Sequence, residues 1–231
     1  FSGRVEFRKE MSASMQVDDD TVVVNDSASF GTQIVECDIH HECDAHLLSF
    51  LNAARQPLGL WRTGTAGALR FQESLGVFCE FAAGVLVPAR LRRLCARVVA
   101  VDMMLGGASF SDTFNHLVQR ARFAPADAFD MALRVFRGGG FTKDWLYLAD
   151  VERMLTEAVV PDRFRAFFSA KLDFSVIDEL DVYEQKGWIA PSTFLPLWAG
   201  QADDRLARAA RMLEKGLPLT DVLCKSKEAR R

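Results

Sequence analysis

The chain has 231 residues, with 28 Lys and Arg against 31 Asp and Glu and a formal net charge of −3 at pH 7. Hydrophobic residues make up 49% and charged residues 26%, the proportions of an ordinary folded chain. This excludes disorder as the dominant state and argues against a nucleic-acid partner, since general nucleic-acid binders are strongly basic. No stretch approaches the ~18 uninterrupted apolar residues of a membrane span, because Glu80 breaks the run after Leu75 and Asp102 the run after Val98.

The chain enters a strand-like pattern at once from Phe1, with no signal pattern, which predicts a fragment of a longer protein. Val5 and Phe7 alternate with Arg4, Glu6 and Arg8, the two-residue period of a strand. β-Branched Val22, Val23 and Val24 follow a turn at Asp18, Asp19 and Asp20. These aspartates read as a solvated hairpin tip, since they lack the Gly and Glu of a calcium loop. After Gly31 the period turns helical. Helices are predicted over 34–55 (stopped near Pro57), over 68–86, and from Pro88 to Gly106. Further helices are predicted over 110–120, capped by Ser109 or Ser111, and from Pro125 to Gly138. Another is predicted over 143–158, capped by Thr142, with shorter ones over 162–170, 175–185 and 203–215. The fold class expected is mainly α with a small N-terminal β element (α+β). One domain spans 1–231, with the β element over 1–30, a helical core over 31–217 and a tail over 218–231 that is charged from Lys225 onward. The five cysteines are odd in number and form no C-x-x-C pair, and the Cys37–Cys43 spacing of six fits no standard zinc pattern. They read as reduced thiols, which points to a cytoplasmic location.

Three of the four histidines fall between residues 40 and 46, in the run His40-His41-Glu42-Cys43-Asp44-Ala45-His46. The familiar zinc-peptidase motif H-E-x-x-H sets its histidines four apart, about 40° apart around a helix. Here His41 and His46 are five apart, about 140° on a regular helix. A π-type widening between them would aim both at one ion; without it the run reads as a polar surface helix. The next helix supplies a candidate third ligand. Glu73 and Glu80 are seven apart, roughly 20° in projection, and interrupt an otherwise apolar helix. A carboxylate on a buried helix must be paired or hold a metal. Glu73 is the better metal candidate, and Glu80 equally fits a pair with Arg70 or Arg97.

The run His41 to Leu48, then Asn52, Gln56-Pro57-Leu58, Thr63-Gly64 and Gln72-Glu73-Ser74-Leu75-Gly76, resembles the flavohemoglobin expression-modulating QEGLA-motif proteins. Their eukaryotic relatives are the microtubule-associated tyrosine carboxypeptidases. The resemblance continues through Arg90-Leu91-Arg92, the run Ala96 to Asp102, and Arg134 to Asp144, covering roughly residues 5–197. It implies a gluzincin-like zinc metallopeptidase, with a carboxypeptidase the expected activity. Carried over by position, His41, His46 and Glu73 would hold Zn2+ and Glu42 would serve as general base and acid. The family's Q-E-G-L-A is changed here: Ser74 stands for the Gly and Gly76 for the Ala.

Tyr147 is a candidate donor to a developing oxyanion, or else a partly buried helix residue. The run Arg137-Gly138-Gly139-Gly140 before the cap at Thr142 and the cation Lys143 reads as an anion site, since glycines let backbone amides approach a ligand and a helix start favours negative charge. For a peptidase that anion is the carboxylate of a peptide or protein C-terminus, with Arg137, Lys143, Gly138 and Gly139 as substrate-binding residues. Alternatively Arg137 pairs with Asp130 in a plain helix–helix turn. An acidic tail such as that of tubulin would suit a basic groove. The rival reading is a non-catalytic member of the same fold that acts as a regulatory or protein-binding module.

Overall fold

A computed structural model describes residues 3–11, 13–29, 31–138 and 142–225. Three short strands come first: β1 (Arg4–Arg8), β2 (Met15–Asp18) and β3 (Thr21–Asn25), in the sheet order β1-β3-β2. β2 and β3 form an antiparallel hairpin with Met15 opposite Val24 and Asp18 opposite Thr21. Asp19 at its tip has φ 53°, a left-handed conformation that aspartate tolerates better than most residues. β1 runs parallel to β3. The Val5/Phe7 alternation does form a strand, yet both side chains are exposed, because β1 is an edge strand. The buried side of the sheet is made instead by Met15 and Val22, which pack on Leu47 and Leu51.

The remaining elements are helical. Residues 32–53 form one rod: α1 (Thr32–Ile39), a π-helix (His40–Leu47) and α2 (Leu48–Ala53). Then follow α3 (Leu60–Thr63), α4 (Ala68–Ala82), α5 (Pro88–Leu105), α6 (Phe110–Gln119) and α7 (Pro125–Phe136). Pro88 sits at the first turn of α5, where its missing N–H is not needed. Ser109 caps α6 in a reciprocal box with Asp112, which decides between the two candidate serines. α4 is the pivot of the molecule: 13 of its 15 residues are buried. Phe71 and Phe78 meet Phe167 edge-on, with ring centroids 5.7 and 5.8 Å apart. A second, smaller core joins α5, α6 and α7 through Leu117, Met131 and Val135.

Four expectations are corrected. The helix predicted over 143–158 is broken: Leu146–Leu148 is a single 3-10 turn, and α8 (Val151–Glu157) begins afresh. The buried hydroxyl of Ser74 on α4 satisfies both broken ends, donating to the Leu146 carbonyl at 2.8 Å and accepting from the Asp150 N–H at 3.0 Å. Thr142 caps no helix; it closes a local turn with Asp144, whose carboxylate accepts from its hydroxyl at 2.7 Å. After α9 (Pro161–Ala166), the helix predicted over 175–185 divides at Glu179 into α10 (Phe174–Asp178) and α11 (Leu180–Gln185). After α12 (Asp203–Glu214), the first part of the segment expected as tail forms α13 (Leu219–Lys225), because Val222 and Leu223 bury into the main core. No helix among the described residues is long and apolar enough to cross a membrane.

Candidate metal centre

The π-helix answers the spacing problem posed by His41 and His46. Its backbone hydrogen bonds close wider loops, so residues five apart return to the same side. The two imidazoles lie edge-to-face with centroids 5.1 Å apart. One ligand atom each from His41, Glu42 and His46 lies within 4.8 Å of the other two, a grouping able to hold a metal ion. Glu73 on α4 faces the same point, its Oε2 3.8 Å from Nε2 of His41. The close approach of the two helices depends on Gly76. A Cβ there would sit well inside van der Waals contact with the His41 ring.

α4 also sets the orientation of both rings. Nδ1 of His41 lies 2.9 Å from Oε1 of Glu80. Nδ1 of His46 lies 3.4 Å from Oε1 of Gln72, whose amide nitrogen donates to Ser49 at 3.1 Å. In this orientation the amide turns its oxygen toward His46. The Glu80 carboxylate only accepts, so Nδ1 of His41 is a donor, and the Gln72 oxygen suits the same role for Nδ1 of His46. Two imidazole nitrogens and a carboxylate are the donor set that zinc takes in catalytic sites, so the residues fit that metal.

The charges of the cluster are tightly interdependent. Burial on its own would lower the His41 pKa, but the neighbouring carboxylates of Glu73, Glu80 and Glu42 outweigh it and lift it to about 9. Burial, reinforced by the charge of His41, pulls His46 down to about 4. Burial pushes Glu42 up to about 7, opposed by His41 and aided by Glu73. Burial works the same way on Glu73, but the closeness of His41 and the charges of both histidines and Lys143 hold it well below the usual carboxylate range.

The cluster opens into a cavity of about 700 Å³. Lys143 is part of its wall and is already engaged: its Nζ donates to Oε1 of Glu73 at 2.6 Å, leaving Oε2 to face His41. Arg137 lines the exposed mouth and makes no ion pair among the described residues. Gly138 is half-buried and is not part of the cavity wall, and Gly139 lies outside the described residues. With no helix starting at Thr142, the helix-terminus argument for an anion site there falls away.

The sequence reading missed two cations, Arg97 and Arg134. Both line the cavity and share the single buried carboxylate of Asp144. Arg134 Nε donates to Asp144 Oδ1 at 2.6 Å, while Arg97 Nη1 stays 3.8 Å from the same oxygen. The buried Nε of Arg97 has no hydrogen-bond partner among the described residues. Burial, followed by the charge of Arg134, pushes Arg97 down to about 10. Tyr147 is buried, its ring 5.9 Å from that of His41, and its hydroxyl accepts from Arg134 at 3.2 Å. Glu80 pairs with Arg90 instead of Arg70 or Arg97, since Arg70 binds Asp150 and Arg97 faces Asp144. Asp44 orients neither ligand. It bonds His40 at 2.5 Å and accepts from the Trp198 indole at 2.7 Å.

The chain matches the family model described as microtubule-associated tyrosine carboxypeptidase over residues 1–216, and it belongs to that family. No curated protein matches it. Family membership together with the His41–Glu42–His46 cluster makes it a carboxypeptidase-like metallopeptidase.

Proposed function

We propose that this member of the tyrosine carboxypeptidase family is a zinc enzyme of gluzincin-like architecture that releases the C-terminal residue of a peptide or protein. His41, His46 and Glu73 are the metal ligands, and Glu42 is the general base and acid. The observation that carries this reading is the π-helix, which turns His41 and His46 to one side beside the Glu42 carboxylate. Zinc held there supplies a Lewis acid and lowers the pKa of water toward neutrality.

The chain's own groups do the rest. Glu42 follows directly on His41 and is placed to take a proton from water and return it to the leaving amine. The Tyr147 hydroxyl accepts from Arg134, so its own proton is free to donate to the developing oxyanion. Lys143 neutralises one oxygen of Glu73 and holds the carboxylate in place. The substrate's terminal carboxylate meets Arg97, Arg134 and Arg137, where two half-buried guanidiniums share one aspartate and positive charge is left over. An acidic protein tail such as that of tubulin, met in the cytoplasm, fits this basic wall.

The test measures the zinc content of the purified chain and hydrolysis of peptides varied at their C-terminal residue, in the wild type and in Glu42→Gln. The variant is expected to keep the metal and lose about 10²–10⁴-fold in rate. Full activity in the variant would show that Glu42 is misassigned. A metal-free wild type with no hydrolysis would favour the protein-binding alternative.

A further inference from the structure

Glu80 lies about two turns along from Glu73 on the same side of α4 and is 0% exposed. Arg90 on α5 clasps it with both arms of its fork, Nε to Oε2 at 3.2 Å and Nη2 to Oε1 at 3.0 Å. The same Oε1 meets Nδ1 of His41 at 2.9 Å. Behind Arg90, its Nη1 lies 3.5 Å from Asp38, whose other oxygen accepts from the Ser14 hydroxyl at 3.0 Å. A buried ion pair is a poor way to stabilise a fold, since well-packed apolar residues do as well or better. Its geometry, however, performs a task. A carboxylate clasped by a guanidinium is an acceptor only, so whatever faces it must carry a proton. Nδ1 of His41 therefore keeps its hydrogen, and Nε2 is the nitrogen left for a ligand.

We propose that Glu80 and Arg90 are positioning residues for the metal ligand His41: the pair fixes its tautomer and ring plane through an anchor that spans α4 and α5. This rests on the metallopeptidase reading of the site. The partner of His46 is the neutral amide of Gln72 at a longer 3.4 Å, so the rigid half of the site is the His41 half. Outer partners of this kind typically tune metal affinity by about 10- to 100-fold.

The test is zinc affinity by chelator competition, alongside the thermal stability of the zinc-free chain, for wild type, Glu80→Asp, Arg90→Lys and Asp173→Asn. Glu80→Asp keeps the charge that Arg90 needs but draws the oxygen back from His41. It should fold and bind zinc about 10- to 100-fold more weakly. Arg90→Lys loses the fork and should weaken binding less. Asp173→Asn, which disturbs the bonds to Thr65, Gly67 and Ser175 away from the cluster, should lower stability and leave zinc affinity unchanged. In the zinc-loaded wild type the Nδ1–H of His41 should give a slowly exchanging proton resonance, lost in Glu80→Asp. Wild-type zinc affinity in Glu80→Asp, with only stability reduced, would overturn the proposal and leave an ordinary structural pair. A wild type that binds no zinc would overturn both this proposal and the metallopeptidase reading. Zinc binding without peptide hydrolysis would overturn the carboxypeptidase reading alone, and weakened binding in Glu80→Asp would still support the positioning role.

Discussion

Replacing Arg97 by methionine should make the protein more stable and a worse carboxypeptidase at the same time. The side chain is half-buried, has a buried and unpartnered Nε, and stands beside Arg134 with only a distant share of Asp144. Its pKa, pushed down to about 10, corresponds to roughly 3 kcal/mol of unfavourable burial of charge in the folded chain. The sign follows from linkage. Below both folded and unfolded values the group is charged in both states, so the penalty is present in full at neutral pH and is relieved only as pH rises through about 10. Methionine fills much of the same volume without charge, and Asp144 keeps Arg134 and Thr142. A net gain of about 1–3 kcal/mol is expected, or roughly 2–10 °C in melting temperature for a chain of this size. If Arg97 receives the substrate's carboxylate, the same change removes a charge-assisted contact of about 1.5–3 kcal/mol. That lowers kcat/KM on free-acid peptides by roughly 10- to 150-fold. The matching C-terminal amides, which lack the charge, should lose much less. Calorimetry and steady-state assays on both substrate forms decide the matter. A variant less stable than wild type, with equal losses on acid and amide, would show that Arg97 supports the fold and reads no carboxylate.

Other consequences are open to equally direct measurement. Gly76→Ala restores the residue of the family motif, yet its methyl would collide with the His41 ring. It should destabilise the chain by about 1–3 kcal/mol and weaken zinc binding, and an unchanged zinc affinity would mean that the two helices move apart freely. Ser74→Ala removes a buried hydroxyl that both donates and accepts. Urea unfolding should show a loss of about 1–3 kcal/mol, and no loss would mean that water or a backbone shift replaces it. Stripping the metal with a chelator should lower the melting temperature, the loss of stability being about 2.7 kcal/mol where free zinc had stood at 100 times its dissociation constant. A melting curve indifferent to chelator and to added zinc would argue against a resident ion.

Much of the fold was legible because its signals are local. Pro88 and Pro125 at helix starts, Ser109 before Asp112, and the two-residue alternation of the first strand each depend on neighbours within a few residues. Spacing also carried the crowded histidines. Three of four within seven residues beside a glutamate pointed to metal chemistry, and the five-residue interval demanded a π-type widening that the structure contains. The family resemblance supplied the ligand assignment that spacing left open. The broken helix after Thr142 was hidden, because the group that satisfies its ends, Ser74, lies 72 residues from Leu146. The helix α13 reads as tail in sequence because the charged run from Lys225 to Arg231 follows it, whereas the groove that takes Val222 and Leu223 exists only once the core is assembled.

Tertiary structure alone decided the charges. Glu80 could be seen to need a partner, but an arginine ten residues on and one helix away is no nearer in sequence logic than Arg70 or Arg97. Lys143 read as a free cation because nothing in its local run reveals Glu73, 70 residues earlier, at 2.6 Å. Arg97 and Arg134 gave no local signal at all. Each is an ordinary arginine on an amphipathic helix until folding places both against one buried aspartate. Apolar periodicity survives in sequence because every turn of a helix repeats it. Electrostatic pairing does not, because Coulomb energy depends on distance and burial, and both belong to the folded chain.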